Sequence, residues 1–549
     1  MRSICLYFQV HQPFRLRTYR FFNIGNDHHY YDDYQNRHFI RRIAEKCYLP
    51  ANRMMLDLIR EFGSGFKVSY SISGTALDQF SMYVPEVIHS FQELARTGNV
   101  EFIAETYAHS LSSLGRKEEF VRQVNLHANK VQELFGMRPT TFRNTELIYS
   151  DQIGESIAEL GFHTMLTEGA KHVLGWKSPN FLYCNNINPK LKLLLRNFRL
   201  SDDLTFRFSN QDWSEWPLTA DKFTKWMNAL NSNEEVVNLF IDYETIGEHQ
   251  WKETGIFDFF RHLPSKIYAQ SDFGFFTPED LYQRLQTVAA ISVPYAISWA
   301  DEERDLTAWR GNELQDEAFE KLYSYESRVR ECDDPLIRRD WLYLQTSNHF
   351  YYMCTKWFSA GEVHKHFNPY KSPYEAFINY MNVLSDFMIR VDTYLEKKRE
   401  AAMTLAAVTA GEKVHGTSKH PVRKRKATAP EESMPKKSTP RKSVPKKVAP
   451  PEKESKAKTK EAFKKLDFED LVSLSDRRIK DLIKKVNIET LTGAMKTADE
   501  PTRQKVEKNM GKKVLAVYKE ILGKLRKLKS AEVSAFRKQI VKEINKLSK

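Results

Sequence analysis

Two short segments of this chain end an apolar run in acids: Phe142-Arg143-Asn144-Thr145-Glu146-Leu147-Ile148-Tyr149, and Leu239-Phe240-Ile241-Asp242-Tyr243-Glu244-Thr245-Ile246-Gly247-Glu248-His249. An apolar run of this length predicts a buried strand, and acids at its C-terminal end fall where an α/β barrel carries its active site. Carboxyl groups from two strands can face each other across a sugar bond, which is what glycoside hydrolysis requires. Asp242 and Glu244 are two residues apart, so both side chains project from the same face of their strand. A third segment, Gly98-Asn99-Val100-Glu101-Phe102-Ile103-Ala104-Glu105-Thr106-Tyr107-Ala108-His109, places Glu101 and Glu105 among apolar neighbours, where an acid needs a partner or a task. His11-Gln12-Pro13 closes the first apolar run; alone, it fits a structural histidine as well as a sugar contact. His28, His29, Asp32 and Asp33 form an acidic and histidine-rich loop without HExxH-type spacing, so no metal and no cofactor is expected there.

The elements that must position these residues follow from the spacing of apolar runs. β-rich segments recur at about 3 to 10, 66 to 73, 100 to 105, 140 to 146, 163 to 167, 191 to 197 and 236 to 242, with amphipathic or loop segments between them. Strands alternating with helices predict a parallel sheet, and seven of them predict an α/β fold of the incomplete (β/α)7 barrel type over residues 1–275. Residues 276–402 are periodic at helical spacing and predict a helical bundle. Residues 403–461 turn Lys- and Pro-rich with little to bury, the composition of a disordered linker. Residues 462–549 return to helical spacing, with Leu466, Leu471, Leu474, Ile479, Leu482, Ile483 and Val486, then Val514, Leu515, Val517, Tyr518, Ile521 and Leu525, as the candidate core of a small all-helical domain.

The net charge of +13 over 549 residues is unevenly spread. Residues 1–410 carry about −8 and the remainder about +21, so an acidic body bears a basic tail. Five scattered cysteines, Cys5, Cys47, Cys184, Cys332 and Cys354, show no CxxC spacing and predict neither a disulfide framework nor a zinc site. No apolar run approaches the ~20 residues of a membrane span, and the N-terminus makes a poor signal peptide. These features predict a cytoplasmic protein with no membrane partner.

Taken together and in order, the His-Gln-Pro opening, Gly98-Asn99-Val100-Glu101, Phe142-Arg143-Asn144-Thr145-Glu146, Asp242-Tyr243-Glu244-Thr245-Ile246-Gly247-Glu248-His249, Ala308-Trp309-Arg310-Gly311-Asn312-Glu313, Leu344-Gln345-Thr346-Ser347-Asn348-His349 and Phe367-Asn368-Pro369-Tyr370 resemble glycoside hydrolase family 57, in its α-amylase-like branch. The resemblance runs from His11 to about Arg390. It implies a retaining enzyme with Glu146 as nucleophile and Asp242 as general acid/base. It also implies that His11, Glu101 and Glu244 touch the sugar at the cleavage point, with Asn348 and His349 as further substrate contacts. Trp213 and Trp251 are expected to stack on glucose rings. The implied activity is cleavage of α-1,4-glucosidic bonds in glycogen, starch or maltodextrin. A 4-α-glucanotransferase or branching-type transglycosylase, and a catalytically weak glucan-binding scaffold, stay open as alternatives. One departure stands out: the family usually places an aspartate where this chain has Asn348. If that position grips a sugar hydroxyl, Asn348→Asp should raise kcat/KM by about five-fold, on the order of 1 kcal/mol.

The tail has a resemblance of its own. Asp467-Phe468-Glu469-Asp470-Leu471-Val472-Ser473-Leu474, Ala494-Met495-Lys496-Thr497-Ala498 and Asn509-Met510-Gly511-Lys512-Lys513 are similar to the C-terminal domain of the flagellar rotor switch protein, over about residues 466–545. This implies a helical interaction module, with a protein or an anionic surface as the partner of the basic tail.

Overall fold

The computed structural model describes residues 1–356, 368–414, most of 467–510 and scattered positions from 515 to 541. It divides the chain into two units, Met1–Val422 and Arg423–Lys549. Among the described residues of the first lie ten strands: β1 (Arg2–Val10), β2 (Val68–Ile72), β3 (Val100–Phe102), β4 (Thr141–Arg143), β5 (Thr164–Glu168), β6 (Tyr183–Asn185), β7 (Lys192–Arg196), β8 (Val236–Asp242), β9 (Phe273–Phe275) and β10 (Ala289–Ile291). Each of the seven anticipated runs is a strand. β6, β9 and β10, three residues each, are too short to leave a periodic signal.

β1 is the central staff of the molecule. Buried along almost its whole length, it pairs in parallel with β8 on one side and with β2, and at its start β9, on the other. Its near-continuous apolar run is what a parallel strand covered on both faces demands. The register sets Gln9 opposite Asp242 and Ser71, which brings three strand ends to one level. From β2 the parallel order continues to β3, across a bridge between Ala104 and Phe142 to β4, then to β5 and β7.

The ring closes between β7 and β8 by a few specific bonds in place of a regular ladder. The Asn197 amide donates to the Asn238 carbonyl at 2.9 Å. The Asn238 side-chain amide donates to the Leu195 carbonyl at 2.8 Å, and Arg196 Nε donates to the Phe240 carbonyl at 2.8 Å. The result is a seven-stranded parallel barrel. Its lumen is filled by Tyr7, Ile103, Leu166, Leu194, Val236 and Phe240, with the Tyr7 and Phe240 rings edge to face at 5.5 Å. Outward residues of the same strands, such as Phe8 and Ile241, meet the surrounding helices.

Beyond the barrel come the helices Pro278–Arg284, Glu313–Tyr323, Glu326–Arg330, Pro335–Leu344, Ser347–Tyr351 and Pro373–Val414. Proline at the first position starts several of them, where its missing N–H is no loss. The short helix Ser347–Tyr351 is tied to the barrel: Ser110 bridges Thr346, and the Ser347 amide donates to the His109 carbonyl at 2.9 Å. A helical segment thus contributes side chains to the mouth of the barrel.

One boundary moves. The last helix runs to Val414, through residues 403–414 that the sequence reading gave to the linker. Ala401-Ala402-Met403-Thr404-Leu405-Ala406-Ala407 is rich in strong helix formers, so the helix continues until composition changes. The rest of the expected linker, residues 415–461, lies outside the described residues. In the second unit, the helices Asp476–Lys485, Ile488–Met495 and Glu500–Lys508 surround a core that includes Leu471, Leu474, Ile479, Leu482, Val486 and Tyr518. Of the anticipated core, Leu466, Val514, Val517, Ile521 and Leu525 lie outside the described residues. The five cysteines are free. No helix among the described residues is long and apolar enough to cross a membrane.

Because the β7–β8 seam depends on a side-chain amide, Asn238→Ala should destabilise the barrel by about 1–2 kcal/mol, a lost buried hydrogen bond. Denaturant titration should show a lower midpoint at unchanged slope. An unchanged midpoint would mean that the backbone closes the barrel unaided.

Candidate active site

The chain leaves β4 through a turn that ordinary residues resist. Glu146 (φ 56°) and Leu147 (φ 52°) both sit in the left-handed region. Non-glycine residues hold such conformations only where the surroundings over-determine them. Here the Trp299 amide donates to the Glu146 carbonyl at 3.1 Å, Tyr149 and Ile297 exchange backbone bonds, and Asn144 Nδ2 donates to the Ile148 carbonyl at 2.9 Å. Segment 297–299 straps the turn and aims the Glu146 carboxylate into a cavity at the barrel mouth.

Both carboxylate oxygens of Glu146 are held. Trp299 Nε1 donates to Oε2 at 2.8 Å and the Ser347 hydroxyl donates to Oε1 at 2.9 Å. His109 Nε2 lies 3.4 Å from Oε1, while its Nδ1 lies 2.8 Å from Glu105 Oε2. Burial alone would raise the Glu146 pKa. His109, the Arg143 guanidinium and Trp299 outweigh it and hold the carboxyl well below the usual range. His109 is opposed by burial in the same way, and its two carboxylate partners keep it charged above its ordinary range.

Asp242 meets the opposite environment. Among the described residues its carboxyl has no hydrogen-bond partner, and burial, with the negative charge of Glu146 adding and Arg143 opposing, pushes its pKa up to about 6. Its neighbour Glu244 is pushed up to about 8 by burial first and by Asp242 second. Tyr48 donates to Glu244 at 2.5 Å and Gln12 at 3.3 Å. Glu146 and Asp242 line the boundary between a cavity of about 120 Å³, walled also by His11, Glu244 and Asn348, and one of about 350 Å³ reaching Phe206 and Arg304. The arrangement offers an ionised carboxylate beside a carboxyl that holds its proton to higher pH, with space on both sides.

His11 and Asn348 are in this cavity and are bonded to each other, His11 Nε2 to Asn348 Oδ1 at 2.7 Å; the other ring nitrogen meets Ser73 Oγ at 2.8 Å. The His11 ring stacks on His109 at 4.0 Å. Four other expected contacts are elsewhere. Glu101 lies on β3 four residues before Glu105, about 13 Å deeper in the barrel at extended-chain spacing. There it accepts from the Glu279 amide at 2.9 Å, and burial raises its pKa to about 7. His349 turns away from the cavity toward the Tyr343 carbonyl at 3.2 Å, and burial lowers its pKa to about 4. Trp251 is 60% exposed, and Trp213 packs edge to face on Trp226 beside a separate cavity. Trp299 and Trp309 line the acid-bearing cavity in their place.

From the sequence alone, Arg143, Ser347 and Trp299 have no role at the site, and His109 stands only as the end of an acid-bearing segment. The position of His109 four residues after Glu105, in the loop that follows β3, was the available signal. Trp299 and Ser347 are far from Glu146 in sequence and have none. In the loop that carries His28 to Asp33, His28 pairs with Asp386, His29 with Asp33, and Asp32 caps a helix. Among the described residues no group of three or more His, Cys, Asp or Glu could hold a metal ion.

Asn348 grips a histidine, so the expected gain from Asn348→Asp is revised. A carboxylate there would favour a charged His11 stacked on the charged His109. We expect kcat/KM on maltodextrin to fall by about five-fold or more, on the order of 1 kcal/mol of like-charge repulsion. A rise in kcat/KM would restore the original reading of a sugar-binding position.

The model of glycosyl hydrolase family 57 matches residues 5–294, and that of the FliG C-terminal domain matches residues 452–549. A protein of Methanocaldococcus jannaschii named "Putative alpha-amylase" is 42% identical over 403 residues, 71% of this chain and 85% of that protein. The flagellar motor switch protein FliG of Borreliella burgdorferi is 34% identical over 80 residues, 15% of this chain and only 23% of that protein. Among solved structures, a family 57 branching enzyme of Thermococcus kodakaraensis is 13% identical at a TM-score of 0.52, covering 70% of this chain and 89% of its own. A branching enzyme of the same type from Pyrococcus horikoshii is 14% identical at 0.52, covering 72% and 91%. These two share the α/β fold. The chain is a carbohydrate-active enzyme that belongs to glycosyl hydrolase family 57.

Proposed function

We propose that this enzyme cleaves α-1,4-glucosidic bonds of glycogen, starch or maltodextrin with retention, through a covalent glycosyl intermediate on Glu146. Asp242 is the general acid/base. The observation that carries the reading is the opposed surroundings of the two carboxyls at one cavity boundary: Glu146 is hydrogen-bonded by Trp299 and Ser347 beside His109, whereas burial raises Asp242 toward holding a proton. A nucleophile must be ionised, and an acid must hold a proton near neutral pH. In the first step Glu146 attacks the anomeric carbon while the Asp242 proton passes to the departing glycosidic oxygen. In the second, Asp242 takes a proton from water, whose oxygen displaces Glu146 and restores both groups.

Three further features support this reading. Trp299 and Ser347 fix the Glu146 oxygens, which limits the reorganisation needed for attack. The cavities on either side of the acids allow sugar on both sides of the bond. Glu244 and His11 line the cavity at the same level and are the proposed sugar contacts, with Asn348 acting through His11. For residues 462–549 we propose docking to a protein or anionic partner, supported by the FliG-type match and the excess of basic residues.

Two measurements test the assignment. Glu146→Gln should abolish turnover of maltoheptaose while leaving the fold intact. Asp242→Asn should lose activity on maltoheptaose yet keep measurable glycosylation by an aryl glycoside, whose leaving group needs no proton. Equal loss on both substrates would remove the acid role from Asp242. Products shorter than maltoheptaose are expected; longer ones would make a sugar hydroxyl the preferred acceptor and the enzyme a transglycosylase.

A further inference from the structure

Arg143 is the least comfortable charged side chain in the barrel. It lies on β4 three residues before Glu146 and is 0% exposed. None of its nitrogens, Nε, Nη1 or Nη2, has a hydrogen-bond partner among the described residues. Its guanidinium sits 4.8 Å from the Trp299 ring centroid, and the Arg196 guanidinium lies 5.7 Å from the same ring. Arg196 shows the usual solution for a buried arginine: it bonds Glu168, Asp202 and the Phe240 carbonyl. Arg143 has no such compensation, and a buried charge without partners destabilises a fold. Something other than stability has to account for it.

Its surroundings indicate what. The Arg143 charge is felt at Tyr7 of β1, Glu105 beyond β3, Glu146 beyond β4 and Asp242 of β8. Asp242 is faced besides by Glu146, His109, Arg196 and its neighbour Glu244. Without Arg143, the top of the barrel would hold Glu105, Glu146, Asp242 and Glu244 against His109 and an Arg196 already engaged elsewhere. We infer that Arg143 is a positioning residue for the reaction: a fixed, unbonded positive charge beneath Glu146 and Asp242, retained at the expense of stability to set the charge balance of that pair. The missing hydrogen bonds fit this role, because a guanidinium tied to one carboxylate would favour that group alone, whereas an untied one acts on both. The flanking Trp299 ring holds it in place by a cation–π contact and the same indole bonds Glu146.

This inference rests on Glu146 and Asp242 as the reacting pair. The test is the pH profile of kcat/KM on an aryl maltoside and on maltoheptaose for the full chain, with Arg143→Met and Arg143→Lys. In Arg143→Met the basic limb on maltoheptaose should move up by about one pH unit, because a nearby positive charge lowers a carboxyl by about 1–3 units. Its melting temperature should be unchanged or higher. Arg143→Lys, which keeps a charge, should leave the limb close to the wild-type position. A folded Arg143→Met with an unmoved limb, an equal shift in both variants, or an Arg143→Met that does not fold would each overturn the inference, the last by making Arg143 a structural residue. Asp242→Asn separates the two readings: a basic limb that survives it overturns the assignment of Asp242. A limb lost in Asp242→Asn but unmoved in Arg143→Met overturns only the role given to Arg143.

Discussion

The site depends on one shared imidazole. His109 lies between the buried carboxylate of Glu105, at 2.8 Å, and the partly buried one of Glu146, at 3.4 Å. Each of the three groups would be driven toward its neutral form if buried alone, since the interior penalises charge. Together they stay charged: His109 is raised, and Glu105 and Glu146 are lowered, by one another. The ionised Glu146 is therefore a property of the cluster. Displacing His109 removes the strongest of the contributions that hold the Glu146 carboxyl below its ordinary range.

The barrel supplies the conditions for that cluster. Gln9 on β1 donates to Glu105 at 3.1 Å, and His127 accepts from the Glu105 amide at 3.1 Å, so the far end of the relay is fixed by the core. His109 itself is in the left-handed region at φ 50°, as are Glu146 and Leu147. Three strained residues in the loops that follow β3 and β4 are held by bonds from the helical part, through Ser347, and from the 297–299 strap. The helical part, by this account, restrains the geometry of the acids as well as walling the cavity. The His11 and Asn348 pair extends the same logic: a neutral amide beside His11 avoids a second positive charge stacked on His109.

The sequence made the barrel legible because parallel strands buried on both faces must be apolar along their length. Runs such as Cys5-Leu6-Tyr7-Phe8 and Val237-Asn238-Leu239-Phe240-Ile241 have no other ready reading. Glu146 and Asp242 were legible for the same reason, as acids ending such runs. Glu101 lies deeper than the resemblance implied because family position gives no depth: Glu101 is on β3 opposite Ser69, Glu105 follows the strand, and only the register shows which of them reaches the mouth. Trp213 and Trp251 were expected to stack on sugar, whereas Trp299 reaches Glu146 through a strap held by long-range backbone pairing that leaves no mark in the sequence. Arg143 was visible in the motif, but the absence of partners is a three-dimensional fact.

The central claim is that Glu146, held ionised by His109, attacks the sugar. Incubation with a mechanism-based fluorinated glucosyl donor, followed by proteolysis and mass spectrometry of the labelled peptide, tests it most directly. The account predicts a single covalent adduct on Glu146. An adduct on Asp242 or Glu244, or turnover of the donor without any adduct, would contradict it.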